Sequence, residues 1–349
     1  GTITSQVSAN TEAGFSIVKI TNKVTSPPVT IGHGLNSAPK VIIWKYLTAA
    51  VNWEVYHSSI GATKSIVLNS TAAEYSTTLW NNTAPTNSVF SVGQSSNSHS
   101  YIAYCFAEVE GFSSFGSYVG TNAPNNNIVT GFEPAMIMIK STGATNGDWN
   151  IFDNKRNITN PLTDVLKANT SGAEATEAAL NISFLENGFS LNGAASSGGT
   201  GQINQSGISY IYMAFAADPT AVEPSLEDSF NTVIYTGNDT NTSYTRDITG
   251  FGFQPDFVWI KDRDNGAFEH ALFDSVRGAG TSNVLSSNLT NVEGWTVAAP
   301  MSAFIDDGFS VQPRSPWNAN NLVNKNGEDF VAWAWKGAEI PAINSNGSI

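Results

Sequence analysis

The sequence predicts an all-β protein of three tandem antiparallel β-sandwich domains, and three observations carry that reading. A phrase in which a proline opens a solid apolar run and a lysine closes it six positions later occurs three times: Pro39 to Lys45, Pro134 to Lys140 and Pro255 to Lys261. The apolar runs are four to seven residues long, rich in Val, Ile, Phe, Tyr and Trp, and bounded by turn residues, which is the strand pattern. Charged residues make up 13% of the 349 residues, well below the roughly 25% usual in globular chains, while Gly, Asn, Ser and Thr supply polar turns.

The anchoring prolines are 95 and 121 residues apart, so the repeat is domain-sized rather than solenoid-sized. Four further columns return in the same order. Before the anchor stands an extended phrase, Phe15 to Asn22, Phe115 to Asn122 and Phe230 to Asn238. After it comes an alternating segment, Trp53 to His57, Trp149 to Asp153 and His270 to Asp274, with apolar positions two apart as one buried strand face requires. A Leu, Asn, Thr and Glu phrase follows at Leu68 to Glu74, Leu166 to Glu174 and Leu285 to Glu293.

A strand pair closes each unit. Its first member is Val89 to Val92, Gly188 to Leu191 and Gly308 to Val311; its second is Tyr101 to Phe106, Tyr210 to Phe215 and Phe330 to Trp335. The connections between them, such as Gly193 to Gly207, are rich in Gly, Ser and Asn and vary in length. The one segment with helical composition is Thr170 to Leu180, where alanines predict a short helix.

Each unit thus holds about five to eight strands in roughly 100 residues, the size of a two-sheet sandwich. A jelly roll is the first expectation and a closed barrel the second. The boundaries expected are a lead-in at 1–13, modules at 14–111, 112–219 and 229–341, a linker at 220–228 and the start of a further linker at 342–349. The chain lacks an initiating methionine, and Gly347-Ser-Ile349 resembles Gly1-Thr-Ile3, so a longer parent polypeptide is expected.

The net charge of −13 and a pI near 4.6 argue against nucleic acid, whose affinity rests on neutralising phosphates with Lys and Arg, and against an anionic membrane surface. No apolar run approaches the roughly 20 residues that span a bilayer, and the first residues carry no signal-peptide pattern. The single cysteine, Cys105, excludes an intrachain disulfide and a cysteine-built metal site.

Thr249 to Lys261, followed by His270 to Gly278 and Phe330 to Lys336, resembles a module common in structural proteins of marine tailed bacteriophages, and the two earlier copies resemble its relatives. The resemblance implies a virion protein, tail-fibre-like or tail-associated, with lectin-like jelly rolls similar to the concanavalin-type sandwich. It implies no catalytic residue and no cofactor.

The residues themselves offer few candidate sites. Asp153 with Arg156 and Asp274 with Arg277 read as salt bridges tying a strand end to its loop, with a polar clamp on a sugar as the alternative. The lysines at 45, 140 and 261 read as points where the chain returns to solvent, and Cys105 as a buried, inert thiol. Asp262 to Gly266 has glycine fifth rather than sixth and Phe273 at the twelfth place, so a polar turn fits better than a calcium loop. The four histidines occur singly and predict no transition metal. No facing carboxylate pair and no Gly-x-Ser-x-Gly elbow stand out, so no enzyme is expected. Six tryptophans lie in strand phrases and are assigned to the core. Trp80, Trp295 and Trp317 lie outside them and are the candidate glycan-stacking residues.

The resulting expectation is a non-enzymatic virion structural protein, a tail-fibre-like or decoration protein displayed outside the cell, with other virion proteins or copies of itself as partners. The alternative is a receptor-binding adhesin recognising host surface polysaccharide, and a polysaccharide depolymerase comes third.

Overall fold

The computed structural model describes residues 1–21, 28–93, 99–143, 147–192, 203–216, 229–239, 245–296, 301–312, 322–338 and 342–344. These residues form an all-β protein of several antiparallel sheets. In each sequence repeat the anchor strand (Val41–Tyr46, Pro134–Ser141, Phe257–Asp262) lies inside a larger sheet. On one side it pairs with a closing strand (Tyr101–Phe106, Ser209–Ala216, Asp329–Trp335), and on the other with an outer strand (Glu54–His57, Asn150–Asp153, Ala271–Asp274). A leading strand (Phe15–Ile20, Ser113–Val119, Phe230–Thr236) pairs beyond the closing strand in all three. The register also repeats, with Ile42, Ile137 and Val258 opposite Cys105, Ala214 and Ala334.

A smaller sheet accompanies each larger one. It holds Val29–Gly32 and Val89–Val92 in unit 1. In unit 2 it holds Asn126–Val129, Gly188–Leu191 and Ile182–Leu185, and in unit 3 Arg246–Thr249, Gly308–Val311 and Met301–Ile305. Side chains alternate between the two faces of a strand. One face of the unit 1 sheet, with Ile42, Trp44 and Cys105, packs on Ile31 and Phe90 of its small sheet. In unit 3, Val258, Ile260 and Ala334 pack on Ile248 and Phe309.

The opposite faces of all three large sheets meet in one shared core. Val41, Ile43 and Phe106 join Met136, Met138 and Phe215, and these join Phe257, Trp259 and Trp335. This explains the solid apolar runs: an antiparallel sheet with one wet face alternates apolar and polar residues, whereas one covered on both faces does not. At the centre stand Phe106, Phe215 and Trp335, the last aromatic residues of the three closing strands. Their ring centroids are 5.8 Å (Phe106 to Phe215), 5.5 Å (Phe215 to Trp335) and 6.2 Å (Phe106 to Trp335) apart, all edge-to-face. The favoured quadrupole geometry is met on every side of the triangle. The void left there is only ≈ 10 Å³.

Two expectations are overturned. Residues 1–13 are not a bare lead-in, because Ser5–Asn10 pairs with the leading strand Phe15–Ile20 and on its other edge with Ala342–Asn344. The described part of 342–349 is therefore a strand, and both ends of the described chain close one sheet. Nor is Thr170 to Leu180 helical beyond a 3-10 turn at Ala178–Leu180. Ala175–Thr176 pairs with Asp164–Lys167 instead, and the Glu174 N–H donates to the Arg263 carbonyl at 2.7 Å, so tertiary pairing overrides alanine propensity. The expected linker 220–228 lies outside the described residues.

Replacing Phe215 or Trp335 by alanine is expected to cost about 3–5 kcal/mol, read from urea unfolding. Because the removed ring touches all three units, tryptophan fluorescence and far-UV signals should shift together in one transition. Separate transitions for separate units would contradict a shared core.

Candidate functional site

The polar residues that recur in the sequence are absorbed in holding the units to one another. Arg156 Nε donates to Asp153 Oδ2 at 2.6 Å, and the same oxygen accepts Trp333 Nε1 of unit 3 at 3.0 Å. In unit 3, Arg277 Nε donates to Asp274 Oδ2 at 2.5 Å, and that oxygen accepts the Tyr104 hydroxyl of unit 1 at 2.8 Å. Both side-chain pairs are fully buried, and the arginines reach on to Glu174 and Glu293. The salt-bridge reading of these pairs holds.

Unit 1 departs from this pattern for a physical reason. At the register position where units 1 and 3 present the donors Tyr104 and Trp333, unit 2 has Met213, which has no hydrogen to donate. There the aspartate is replaced by His57 and the arginine by Ile60, and His57 Nε2 lies 3.2 Å from the Tyr212 carbonyl instead. A buried carboxylate without donors costs several kcal/mol, and the neutral ring avoids it.

The three lysines do not return to solvent, because Lys45, Lys140 and Lys261 are all fully buried. Lys45 Nζ donates to the carbonyls of Val51 (2.6 Å) and Thr290 of unit 3 (2.9 Å). Lys140 Nζ donates to Gly147 (2.8 Å) and Thr71 of unit 1 (3.1 Å), and Lys261 Nζ to Asp262 (2.6 Å). Burial lowers each ammonium to about 8. Backbone bonds close the cycle: Glu74 N–H to Thr142, Glu174 to Arg263 and Glu293 to Leu47. Units 1, 2 and 3 thereby each grip the next.

The glycan-stacking candidates fare differently. Trp80 is buried at 1% exposure, edge-on to Tyr56, so its ring is closed to a ligand because it fills the core of unit 1. Trp295 is half-buried against the unit 3 core, with Nε1 donating to Ser286 Oγ at 3.1 Å. Trp317 lies outside the described residues. Trp44, Trp53, Trp149, Trp259, Trp333 and Trp335 are core residues, as expected.

The remaining candidates resolve simply. Cys105 is fully buried, which pushes its thiol up. Asp262 Oδ1 accepts the N–H groups of Asp264 and Asn265 at 2.9 Å, which makes the acidic segment a capped turn. Among the described residues no three acids, histidines or cysteines converge as metal ligands.

The opening with the chemistry of a binding site lies in unit 1, where an open cleft of ≈ 410 Å³ is lined among others by Tyr46, Val51, Asn52, Glu54, Tyr75 and His99. The end of the anchor strand supplies Tyr46, the outer strand Glu54, and a two-residue strand Tyr75. Glu54 Oε2 accepts the hydroxyls of Tyr75 (2.7 Å) and Ser65 (2.6 Å). The Tyr46 ring meets His99 edge-on at 5.6 Å, and burial together with Tyr101 pushes its phenol up to about 12. Lys45 positions the lip through Val51. The equivalent residues in units 2 and 3 are Ser141 and Asp262, Asn150 and Ala271, Ala175 and Gly294, so those units carry no like set of side chains at these positions. Its residues are scattered over Tyr46 to His99 without a motif, and the one legible signal was that the copies differ there.

Two outcomes follow from the buried network. His57→Asp should destabilise by about 3–5 kcal/mol in urea unfolding, and His57→Asp with Ile60→Arg should recover part of that loss, since Glu74 stands where Glu174 and Glu293 stand in the other units. Burial lowers His33 and His57 to about 4 and His270 to about 3. Their stabilisation is complete above the unfolded value near 6.5 and is lost as pH falls toward 4, because the unfolded chain then binds more protons. Asp262, raised to about 6, and Asp256, also raised by burial, act oppositely, two groups against three. The thermal midpoint should therefore fall between pH 7 and 4.5, and a flat profile would refute the assignment.

The family described as "Domain of unknown function (DUF7483)" matches residues 1–219 and 224–349, and the chain belongs to that family. No curated protein matches the chain.

Proposed function

We propose that the chain is a non-enzymatic structural protein of a bacteriophage virion, tail-fibre-like or a decoration protein, built from three tandem jelly-roll sandwiches of concanavalin-like form. The observation that carries this is the closed cycle of contacts around the aromatic triangle, which turns three sandwiches into one rigid body. Polar residues that recur between repeats serve that cycle, which is the economy of a scaffold rather than of a reaction centre. An acidic chain of this kind meets other virion proteins or further copies of itself, not nucleic acid. Mass spectrometry of purified particles, with density for the chain on the virion surface, tests this. Its absence from particles of the phage that encodes it would end the proposal.

A second reading, a receptor-binding adhesin for host surface polysaccharide, is favoured by the unit 1 cleft. A depolymerase has less support, because Glu54 is the sole acid among the described residues lining that cleft and glycosidases work with two facing carboxylates.

A further inference from the structure

We propose that the unit 1 cleft binds a neutral pyranose residue of a polysaccharide, with Tyr75 as the stacking platform and Glu54 as the acceptor for two adjacent hydroxyls. The inference rests on the adhesin reading and names its site. Three features of the cleft converge on a sugar. First, its ≈ 410 Å³ falls within the roughly 300–1,000 Å³ of small-ligand sites, and it is open, as a site for an internal residue of a chain must be.

Second, the walls are amphipathic in the way a pyranose is. Tyr75 is 42% exposed, so its ring offers an apolar face. Its hydroxyl is tied to Glu54 at 2.7 Å, which holds the ring in place before a ligand arrives. An aromatic side chain with its polar end anchored loses little freedom on binding. Third, the acceptor is preorganised. Tyr75 and Ser65 both donate to Glu54 Oε2, while Oε1 has no hydrogen-bond partner among the described residues. A carboxylate oxygen beside an aromatic face calls for hydroxyl donors.

The charge selects within the sugars. Glu54 at the cleft and a net charge of −13 repel uronic and sialic acids, so the neutral pyranose is the complementary class. The side chains of Tyr46, Glu54 and Tyr75 make none of the bonds described between units, and they have no counterpart of like chemistry in units 2 and 3.

Saturation-transfer NMR on the full chain, with methyl glucopyranoside, galactopyranoside, mannopyranoside and N-acetylglucosamine as probes and glucuronic acid as the acidic arm, tests the assignment. A glycan array carrying the same residues in polymers runs in parallel. The expected result is saturable binding of at least one neutral probe and none of the acid. Tyr75→Ala and Glu54→Gln should each weaken it roughly tenfold or more with the thermal midpoint unchanged, while Trp295→Phe should leave it intact. Neutral-glycan binding that persists in both cleft variants would overturn the site and leave the adhesin reading standing. Preference for the acid would overturn the charge argument and the proposal with it. No binding of any glycan would overturn site and adhesin reading together, leaving the virion role to its own test.

Discussion

The contact on which the rest of the structure depends is the triangle of Phe106, Phe215 and Trp335. Each ring stands at or next to the end of a closing strand that lies inside a large sheet, so bringing the three together turns the outer faces of three sheets inward. Burial of that second face is what a sandwich of this size lacks when it stands alone. Leading-strand rings extend the core in the same sense: Phe15 reaches Trp335, Phe115 reaches Phe106, and Phe230 reaches Phe215.

A core made of three sheets has to accommodate the polar groups that its rim traps. It does so at several points by pairing buried charges across a unit boundary. Asp153 and Asp274 each take an arginine from their own loop and one donor from a neighbour, whereas the His57 and Ile60 pair occurs where the neighbouring unit has Met213 at the donor's register position. The substitutions are thus correlated through space between units, and the correlation has a simple origin: a buried carboxylate is tolerated only where donors face it. The buried lysines follow the same logic, each donating to carbonyls that a loop or a neighbouring unit would otherwise leave unpaired.

This arrangement links architecture to the cleft. Lys45 holds unit 1 to unit 3 by its bond to Thr290 and bears on the cleft through its bond to the Val51 carbonyl. The loop that forms the lip is therefore set by the same ammonium that holds unit 1 to unit 3. A lip held in place in this way would spend little binding energy on its own ordering if a ligand entered the cleft.

Much of the fold was legible beforehand. The order of the columns, the strands themselves, the tryptophan core and the salt-bridge role of Asp153 and Asp274 all came from period, spacing and residue type, because these are local properties of a strand and its turns. The lysines, Trp80 and the segment from Thr170 were misread because their environment is supplied by residues far away in the chain: Thr290 for Lys45, Tyr56 for Trp80, Arg263 for Glu174. The solid apolar anchor runs did signal a second covered face, but a run records only that something covers it. That the covering is the other two repeats, and that Tyr46, Glu54 and Tyr75 come to line one cleft, depended on packing between segments that share no local pattern. The sequence by itself determined what each strand is, and the tertiary structure decided what each strand faces.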